Sequence, residues 1–290
     1  MRTNGILDPK MFGAAIELER HAPASDLAHF VERFWTVRWN LTEPHDSATL
    51  PYPCVNMVIG SHRPGVHGTT RKRFVAQLEG VGWVLGTKFR PAGFRTLSDR
   101  PLHALVDRDV PIAKMFGAAG ADLVRDVLLL TEPSTRIARI EQFLRERAPA
   151  RDADTDTINQ IIEIAEADRT LLRVAQLAER AGVTVRTLER LFRRHVGVSP
   201  KWVLQRFRVQ EAAARVAAGQ VVEWSALAHD LGFFDQAHFI REFKLQVGST
   251  PLQYAAELSC NPVHARVSPE DEGIVRAVVD RDVREREAGR

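Results

Sequence analysis

Hydrophobic and polar residues follow two different periods along the chain. Before about residue 110, short apolar runs broken by proline and glycine, such as FVERFWTVRW, YPCVNMVI and GVGWVLGTKF, are typical of strands. From Pro111 to Arg147 the apolar positions take a helical period, with a break at Glu132 to Ser134, and from Ile158 to Leu258 nearly the whole chain does so. The pattern predicts an α+β protein, in which an N-terminal β-rich, barrel-like domain with helices precedes an all-α domain.

A stretch without large apolar side chains separates the two parts. This stretch is APARDADTDT, from Ala148 to Thr157, and its composition predicts a linker or a loosely held segment that leads into a helix. We therefore predict a regulatory or sensor domain over residues 1–150, β-rich to about 110 and helical over 111–147, and a second domain over residues 151–258. Residues 259–290 form a charged tail that we expect to be partly disordered, with a helix over residues 272–284.

The composition is that of a soluble globular protein of two domains. Of 290 residues, 44% are apolar and 27% charged, and no run of about 18 apolar residues offers a membrane span. The N-terminus lacks the pattern of a secretory signal, so we expect a cytoplasmic protein. The two cysteines, Cys54 and Cys260, are too few for a disulfide framework or a four-thiolate zinc site, and we predict no cofactor.

The helical part contains an internal repeat. Leu177, Ala178 and Gly182 recur 50 residues later, and the later positions of the unit recur at an offset of 51, which pairs Leu188 with Phe239, Arg190 with Arg241, Phe192 with Phe243, Gly197 with Gly248 and Pro200 with Pro251. Duplication implies a unit that was useful twice. A long segment, KWVLQRFRVQEAAARVAAG, joins the two copies.

Each copy has the signature of a helix-turn-helix. In the first, Gly182 permits a tight turn, Thr184 is placed to cap the next helix, and Leu188, Leu191 and Phe192 form its core face. The opposite face presents long polar side chains suited to base edges and phosphates in a major groove, namely Arg186, Glu189, Arg190, Arg193 and Arg194.

The second copy follows the same plan with different side chains. Asp235 is the predicted N-cap, and Phe239 and Phe243 are the predicted core pair. The remaining polar side chains, left for solvent or DNA, are Gln236, His238, Arg241 and Lys244.

The charge distribution points to a polyanion. Residues 169–215 hold 11 Lys and Arg against 3 Asp and Glu, a local net charge of +8, whereas residues 216–258 hold 2 against 5, a local −3. Arginine predominates in the basic block and favours bidentate recognition of phosphate or guanine. Double-stranded DNA is the predicted partner, with most phosphate neutralisation in the first unit and the connector.

These motifs resemble those of one family. The segment from about Thr155 to Leu258, through LAERAGVTVRTLERLFRRHVGVSP, RFRVQEAAARVAAG and LAHDLGFFDQAHFIREFKLQVGSTPLQY, is similar to the DNA-binding domain of AraC/XylS-type transcriptional regulators. The resemblance implies two helix-turn-helix units, joined by one helix, in adjacent major grooves on one face of the DNA. Phe234 stands where that family often has serine, so helix capping would fall more heavily on Asp235. More loosely, LPYPCVNMVIG and GVGWVLGTKFRPAGF resemble the front domain of many such regulators, which implies a sensor or dimerisation module and names no ligand.

Several roles stay open at this point. Glu189 could pair with Arg186 or Arg193 instead of reading a base, and His238 could pack against the neighbouring helix. Further candidate partners are a small-molecule effector, RNA polymerase and a second copy of the chain. The second copy would bind through the helical pair around Ile140 and Leu144, although this pair could equally pack on the β domain.

Most candidate residues of the front domain favour a structural role over ligand binding or catalysis. His62 and His67 lack a third metal ligand, Cys54 sits in an apolar run, and the three tryptophans Trp35, Trp39 and Trp83 read as core. Lys88, Arg90 and Arg95 could receive an anionic effector or simply end a strand. Two alternatives to a regulator are an enzyme that its C-terminal domain delivers to DNA and a structural DNA-binding protein without an effector. The sequence argues against the enzyme, because no catalytic nucleophile with an adjacent base can be assembled from it.

Overall fold

The computed structural model describes residues 15–50, 52–147, 152–220 and 223–259. The described residues up to Pro251 form one compact unit, and residues 252–259 belong to another. The charged tail and its predicted helix lie outside the described residues. Within the described residues, no helix combines the length and hydropathy needed to cross a bilayer.

The N-terminal part is built on an open antiparallel sheet. Its strands are β1 (Ile16–His21), β2 (Val31–Asn40), β4 (Asn56–Gly60), β5 (Gly65–His67), β7 (Val81–Phe89) and β8 (Asp109–Val110), in the spatial order β1-β2-β7-β4-β5-β8. A separate two-stranded sheet pairs β3 (His45–Thr49) with β6 (Phe74–Leu78). The α+β class and the β-rich front are confirmed. The barrel-like closure is wrong, because β1 and β8 stand at opposite edges of the six-stranded sheet.

Glycines in β7 make room for the tryptophans of β2. Trp35 is paired with Gly86 and Trp39 with Gly82, and a Cβ added at either glycine would lie 2.0 or 2.3 Å from the facing indole ring. The alternating glycines of GVGWVLGTKF therefore weaken its strand pattern but allow the two rings to lie flat on the neighbouring strand. Trp39 is buried and Trp35 packs against the same cluster, in agreement with their interpretation as core.

Two helices cover the sheet. They are α1 (Ile112–Leu129), interrupted by left-handed backbone at Gly117, and α2 (Pro133–Arg145), as the helical period predicted. Ile140 and Leu144 are fully buried in the core that also contains sheet residues such as Leu85 and Phe89. Of the two partners considered for this helical pair, the β-rich part is therefore the one that occupies its apolar face.

The remaining helices form the predicted all-α part. They are α3 (Ala153–Ala167), α4 (Val174–Arg180), α5 (Val185–His195), α6 (Pro200–Ala217), α7 (Trp224–Asp230), α8 (Gln236–Val247) and α9 (Pro251–Ser259). Asp152 caps α3 by accepting from the Asp154 amide at 3.2 Å, so the predicted lead-in becomes helical at Ala153. The central helix α6 contacts α3, α4, α5 and α8 and thereby connects the two repeated units. The domain boundary at residues 150–151 stays a prediction.

Candidate nucleic-acid interface

The turn of the first repeated unit forms as its sequence predicts. Helix α4 ends at Arg180, and Gly182 follows with φ of 66°, a left-handed conformation that favours glycine. Thr184 then caps α5, since its Oγ1 accepts from the Thr187 amide at 3.1 Å. The turn and the cap together fix the angle at which α5 leaves α4.

Helix α5 has one buried face and one basic face. Leu188 and Phe192 are completely buried, and Leu191 is nearly so. Because successive helical residues are rotated by about 100°, Arg186, Arg190 and Arg193 lie together on the opposite side of the helix, with Glu189 and Arg194 at its borders. All five of these side chains are exposed.

The exposed charged side chains of α5 form no ion pairs with one another among the described residues. Within the part of the chain that the structure describes, none of Arg186, Glu189, Arg190, Arg193 or Arg194 forms an ion pair. Glu189 in particular does not engage either neighbouring arginine. The face is therefore available to a ligand, and the contact of each side chain with DNA stays a prediction.

The second unit repeats this geometry. Gly232 has φ of 68°, and Asp235 caps α8 by accepting from the His238 amide at 2.6 Å. Phe239 and Phe243 are completely buried and stack edge to face, with their ring centroids 5.7 Å apart. The prediction that Asp235 is the N-cap of this helix is confirmed.

The polar side chains of α8 divide into two groups. Gln236, Arg241 and Lys244 are exposed, as predicted. His238 is half-buried, with its ring 5.5 Å from the Phe233 ring, so the packing interpretation of this histidine is the one the structure supports. Phe234, which adds one residue to the second turn, is 93% exposed beside the start of α8.

The two outer faces differ in charge at equivalent positions. At the offset of 51, four arginines of α5 correspond to two basic and two apolar residues of α8, pairing Arg186 with Ala237, Arg190 with Arg241, Arg193 with Lys244 and Arg194 with Leu245. Leu245 is 45% exposed and was not singled out from the sequence. The second face therefore carries half the cations of the first.

The connector contributes less charge than its sequence suggests. Arg206 is 2% exposed, and Arg208 is buried with its guanidinium donating to the backbone oxygen of Leu172. Arg169 and Arg215 both pair with Glu211. The local excess of +8 therefore overstates the free charge of this region, and most of its unpaired exposed cations lie on α5.

Polar contacts that the sequence did not reveal join the β-rich part to the helical part. The hydroxyl of Tyr52 donates to Oε2 of Glu166 in α3 at 2.7 Å, and the Ala92 amide donates to Oδ1 of Asn159 at 3.0 Å. Arg206 lies 5.7 Å from the centre of the Tyr52 ring, and burial lowers the pKa of Arg206 to about 10. The front part thus packs directly on the helices that carry the repeated units.

The front-part side chains considered for ligands have structural partners. Lys88 pairs with Glu32 at 2.8 Å, Arg90 pairs with Glu163 at 3.0 Å, and Arg95 donates to the backbone oxygen of Ser98. These contacts give all three cations structural partners.

His67 and Cys54 have structural surroundings as well. His67 contacts Asp109 at 2.8 Å, and no group of three metal-ligating side chains occurs in residues 15–50, 52–147, 152–220 and 223–259. Burial raises the pKa of the Cys54 thiol to about 11, so it is a thiol at neutral pH rather than a reactive thiolate.

Two family models match separate parts of the chain. Residues 177–257 match the family described as a helix-turn-helix domain. The matched residues lie within the segment whose sequence resembles the DNA-binding domain of AraC/XylS-type regulators. Residues 19–111 match a family described as a domain of unknown function (DUF6597), which agrees with the looser resemblance of the front part.

The curated relatives are named as transcriptional regulators. An uncharacterised HTH-type transcriptional regulator of Haemophilus influenzae is 30% identical over 56% of this chain and 55% of its own length. The transcriptional activator NphR of a Rhodococcus species is 26% identical over 72% of this chain and 55% of its own. The chain thus spans about half the length of these relatives. Among solved structures, ToxT from Vibrio cholerae aligns over 83% of this chain and 98% of its own, with 13% identity and a TM-score of 0.38.

Proposed function

We propose that this protein is a sequence-specific DNA-binding transcriptional regulator, whose two helix-turn-helix units enter adjacent major grooves. The observation that carries the proposal is the duplication: α5 and α8 each follow a glycine turn and a side-chain cap, and each exposes a basic face opposite its buried one. The names of the related regulators support the same function.

Base reading is assigned to the central residue of each face. Arg190 and Arg241 occupy equivalent positions in the middle of the two outer faces, where a guanidinium can bond guanine bidentately. Arg186, Arg193, Arg194 and Lys244 would contact phosphates and hold the register of each helix. Glu189 would accept from a cytosine amino group, and Gln236 would supply a secondary contact at the start of α8. His238 is assigned a packing role.

The front part would control this binding through an effector or through dimerisation. Its sheet and α2 share one core, and Tyr52, Arg90 and Ala92 contact α3 directly. A ligand that alters the front part could therefore alter the helices that carry α5 and α8. Thermal-shift screening of the full chain against metabolite pools tests for an effector, because a ligand bound only to the native state raises the melting temperature.

The proposal is tested by the salt dependence of binding. Genomic fragments retained by the full chain would supply a labelled duplex, and its affinity would be measured by fluorescence anisotropy at several salt concentrations. Removing two phosphate contacts with Arg186→Ala/Arg193→Ala should lower the slope of log K against log salt by about 1.8. The control, Lys114→Ala/Arg125→Ala, removes the same charge from exposed positions of α1 and should leave the slope unchanged. Equal slopes for all three proteins, or no retained fragment, would refute the proposal.

A further inference from the structure

One loop of the front part touches the C-terminal ends of both α5 and α8. The loop joins β5 to β6 and comprises residues 68–73. Thr69 is buried, and its Oγ1 donates to the backbone oxygen of Val196, which follows α5, at 3.3 Å. Arg73 donates through Nη1 to the backbone oxygen of Val247, the last residue of α8, also at 3.3 Å, and its amide approaches the Leu245 oxygen at 3.5 Å.

The two carbonyl groups occupy the same position in the repeat. Val196 and Val247 are 51 residues apart, the offset that superposes α5 on α8. The last carbonyls of a helix lack partners within the helix, so both ends offer the same free acceptor. Arg73 also places its positive charge at the negative end of the α8 dipole. A single loop thus uses one kind of contact on both copies of the duplicated unit.

The backbone at both helix ends allows this close approach. Gly197 and Gly248 follow the two carbonyls with φ of 93° and 100°. A Cβ added to Gly248 would lie 2.4 Å from Nη1 of Arg73, and one added to Gly197 would lie 2.8 Å from the backbone oxygen of Leu102. The turn therefore favours glycine at both equivalent positions, and at Gly197 the backbone of the front part leaves no room for a side chain either.

The loop is held in shape by the front part. The Asp107 carboxylate accepts from the Arg71 amide at 2.8 Å and from Arg71 Nε at 2.7 Å, while the Asp107 amide donates to the Thr69 oxygen at 3.0 Å. The Gly68 amide donates to the Arg108 oxygen at 3.0 Å. These bonds tie the loop to the segment leading into β8, so it is a preorganised element of the sheet rather than a free strand connection.

We propose that Thr69 and Arg73 are positioning residues that fix the relative orientation of α5 and α8, and so set the spacing of the two DNA half-sites that the protein accepts. Helix α6 connects the two units along one side, and the loop connects them at their C-terminal ends. Two separate connections resist a rotation of one unit against the other that α6 alone would permit. The consequence for DNA rests on the proposed function, whereas the consequence for helix orientation does not.

The orientation is tested without DNA. Spin labels would be attached at the equivalent exposed positions through Arg186→Cys and Ala237→Cys, in a chain carrying Cys260→Ser, and the distance distribution measured by pulsed electron resonance. Arg73→Ala should broaden or shift this distribution. Lys72→Ala, which removes an exposed cation from the same loop, should not. A distribution that is the same in the Arg73→Ala chain as in the parent chain would overturn the proposal.

The spacing is tested with duplexes that differ by one inserted base pair between the half-sites. The parent protein should bind the natural spacing at least about tenfold more tightly than the inserted one, since one base pair rotates the second groove by roughly 34°. Arg73→Ala and Thr69→Val should each reduce this ratio several-fold, while Lys72→Ala should preserve it. An unchanged ratio in both variants would refute the spacing role. Failure of the parent protein to bind any duplex specifically would instead refute the proposed function, and the label distances would still decide the orientation.

Discussion

Arg190 and Arg241 occupy equivalent places in α5 and α8, yet removing them should have unequal effects. Each lies in the middle of an exposed face and forms no ion pair within the described residues. Arg190 is flanked about one turn away on either side by Arg186 and Arg193, whereas the positions that flank Arg241 hold Ala237 and Lys244. A base contact discriminates only where phosphate contacts hold the helix in register, and α5 has twice as many flanking cations for this as α8.

The flanking cations decide the expected magnitude. A well-held bidentate contact contributes about 1–3 kcal/mol of discrimination, so Arg190→Ala should weaken specific binding by roughly 5- to 150-fold and leave little preference for that half-site. Arg241→Ala should weaken specific binding by about fivefold or less, at or below the lower limit of that range. Sequence preference should accordingly be stronger in the half-site that faces Arg186 and Arg190.

The assay is a fluorescence anisotropy titration of both variants against a series of duplexes in which one half-site at a time is scrambled, at two salt concentrations. Lys114→Ala serves as the control for loss of one positive charge, and far-ultraviolet circular dichroism checks that each variant is folded. Equal losses for the two variants, with equal intolerance of scrambling in both half-sites, would show that the flanking charges do not set the division between the units.

Three further predictions concern the fold. Asp235→Ala removes the cap of α8 and should lower the free energy of unfolding by about 1 kcal/mol in urea titration, with Asp235→Asn near the parent value; equal stability of all three would rule out a capping role. Tyr52→Phe removes the hydroxyl that donates to the half-exposed Glu166 and should cost about 1 kcal/mol by the same titration, so an unchanged midpoint would contradict the contact. Burial lowers the pKa of His195, which is 2% exposed, so the native state favours the neutral ring. Its contribution to stability should be complete above the unfolded pKa of about 6.5 and be lost as the pH falls toward the native pKa; His195→Gln should remove this part of the pH dependence, and identical profiles for the two proteins would refute it.

The features predicted correctly from sequence are those decided by neighbouring residues. Gly182 and Gly232 adopt the left-handed turns, Thr184 and Asp235 cap the following helices, and the apolar period identifies the buried face of α5 and α8. Each depends on residues within a few positions of one another, where backbone conformation and helical spacing leave a direct trace in the sequence.

The features that were missed depend on contacts between distant residues. Tyr52 and Glu166 are 114 residues apart, and Arg73 and Val247 are 174 apart, and no periodic pattern relates either pair. The local net charge of +8 over residues 169–215 overstated the number of exposed cations for the same reason. The sequence of α6 does not show that Arg206 is buried beside the Tyr52 ring. The sequence did not predict that the sheet is open, because closure of a sheet into a barrel depends on whether its edge strands pair with each other.

The central claim, two recognition helices in adjacent grooves, is tested most directly by hydroxyl-radical footprinting of the full chain on a fragment selected from genomic DNA. The account predicts two protected patches on one face of the duplex, centred about 10–10.5 base pairs apart, with the patch facing α5 lost first in Arg190→Ala. A single protected patch, or two patches on opposite faces of the duplex, would contradict it.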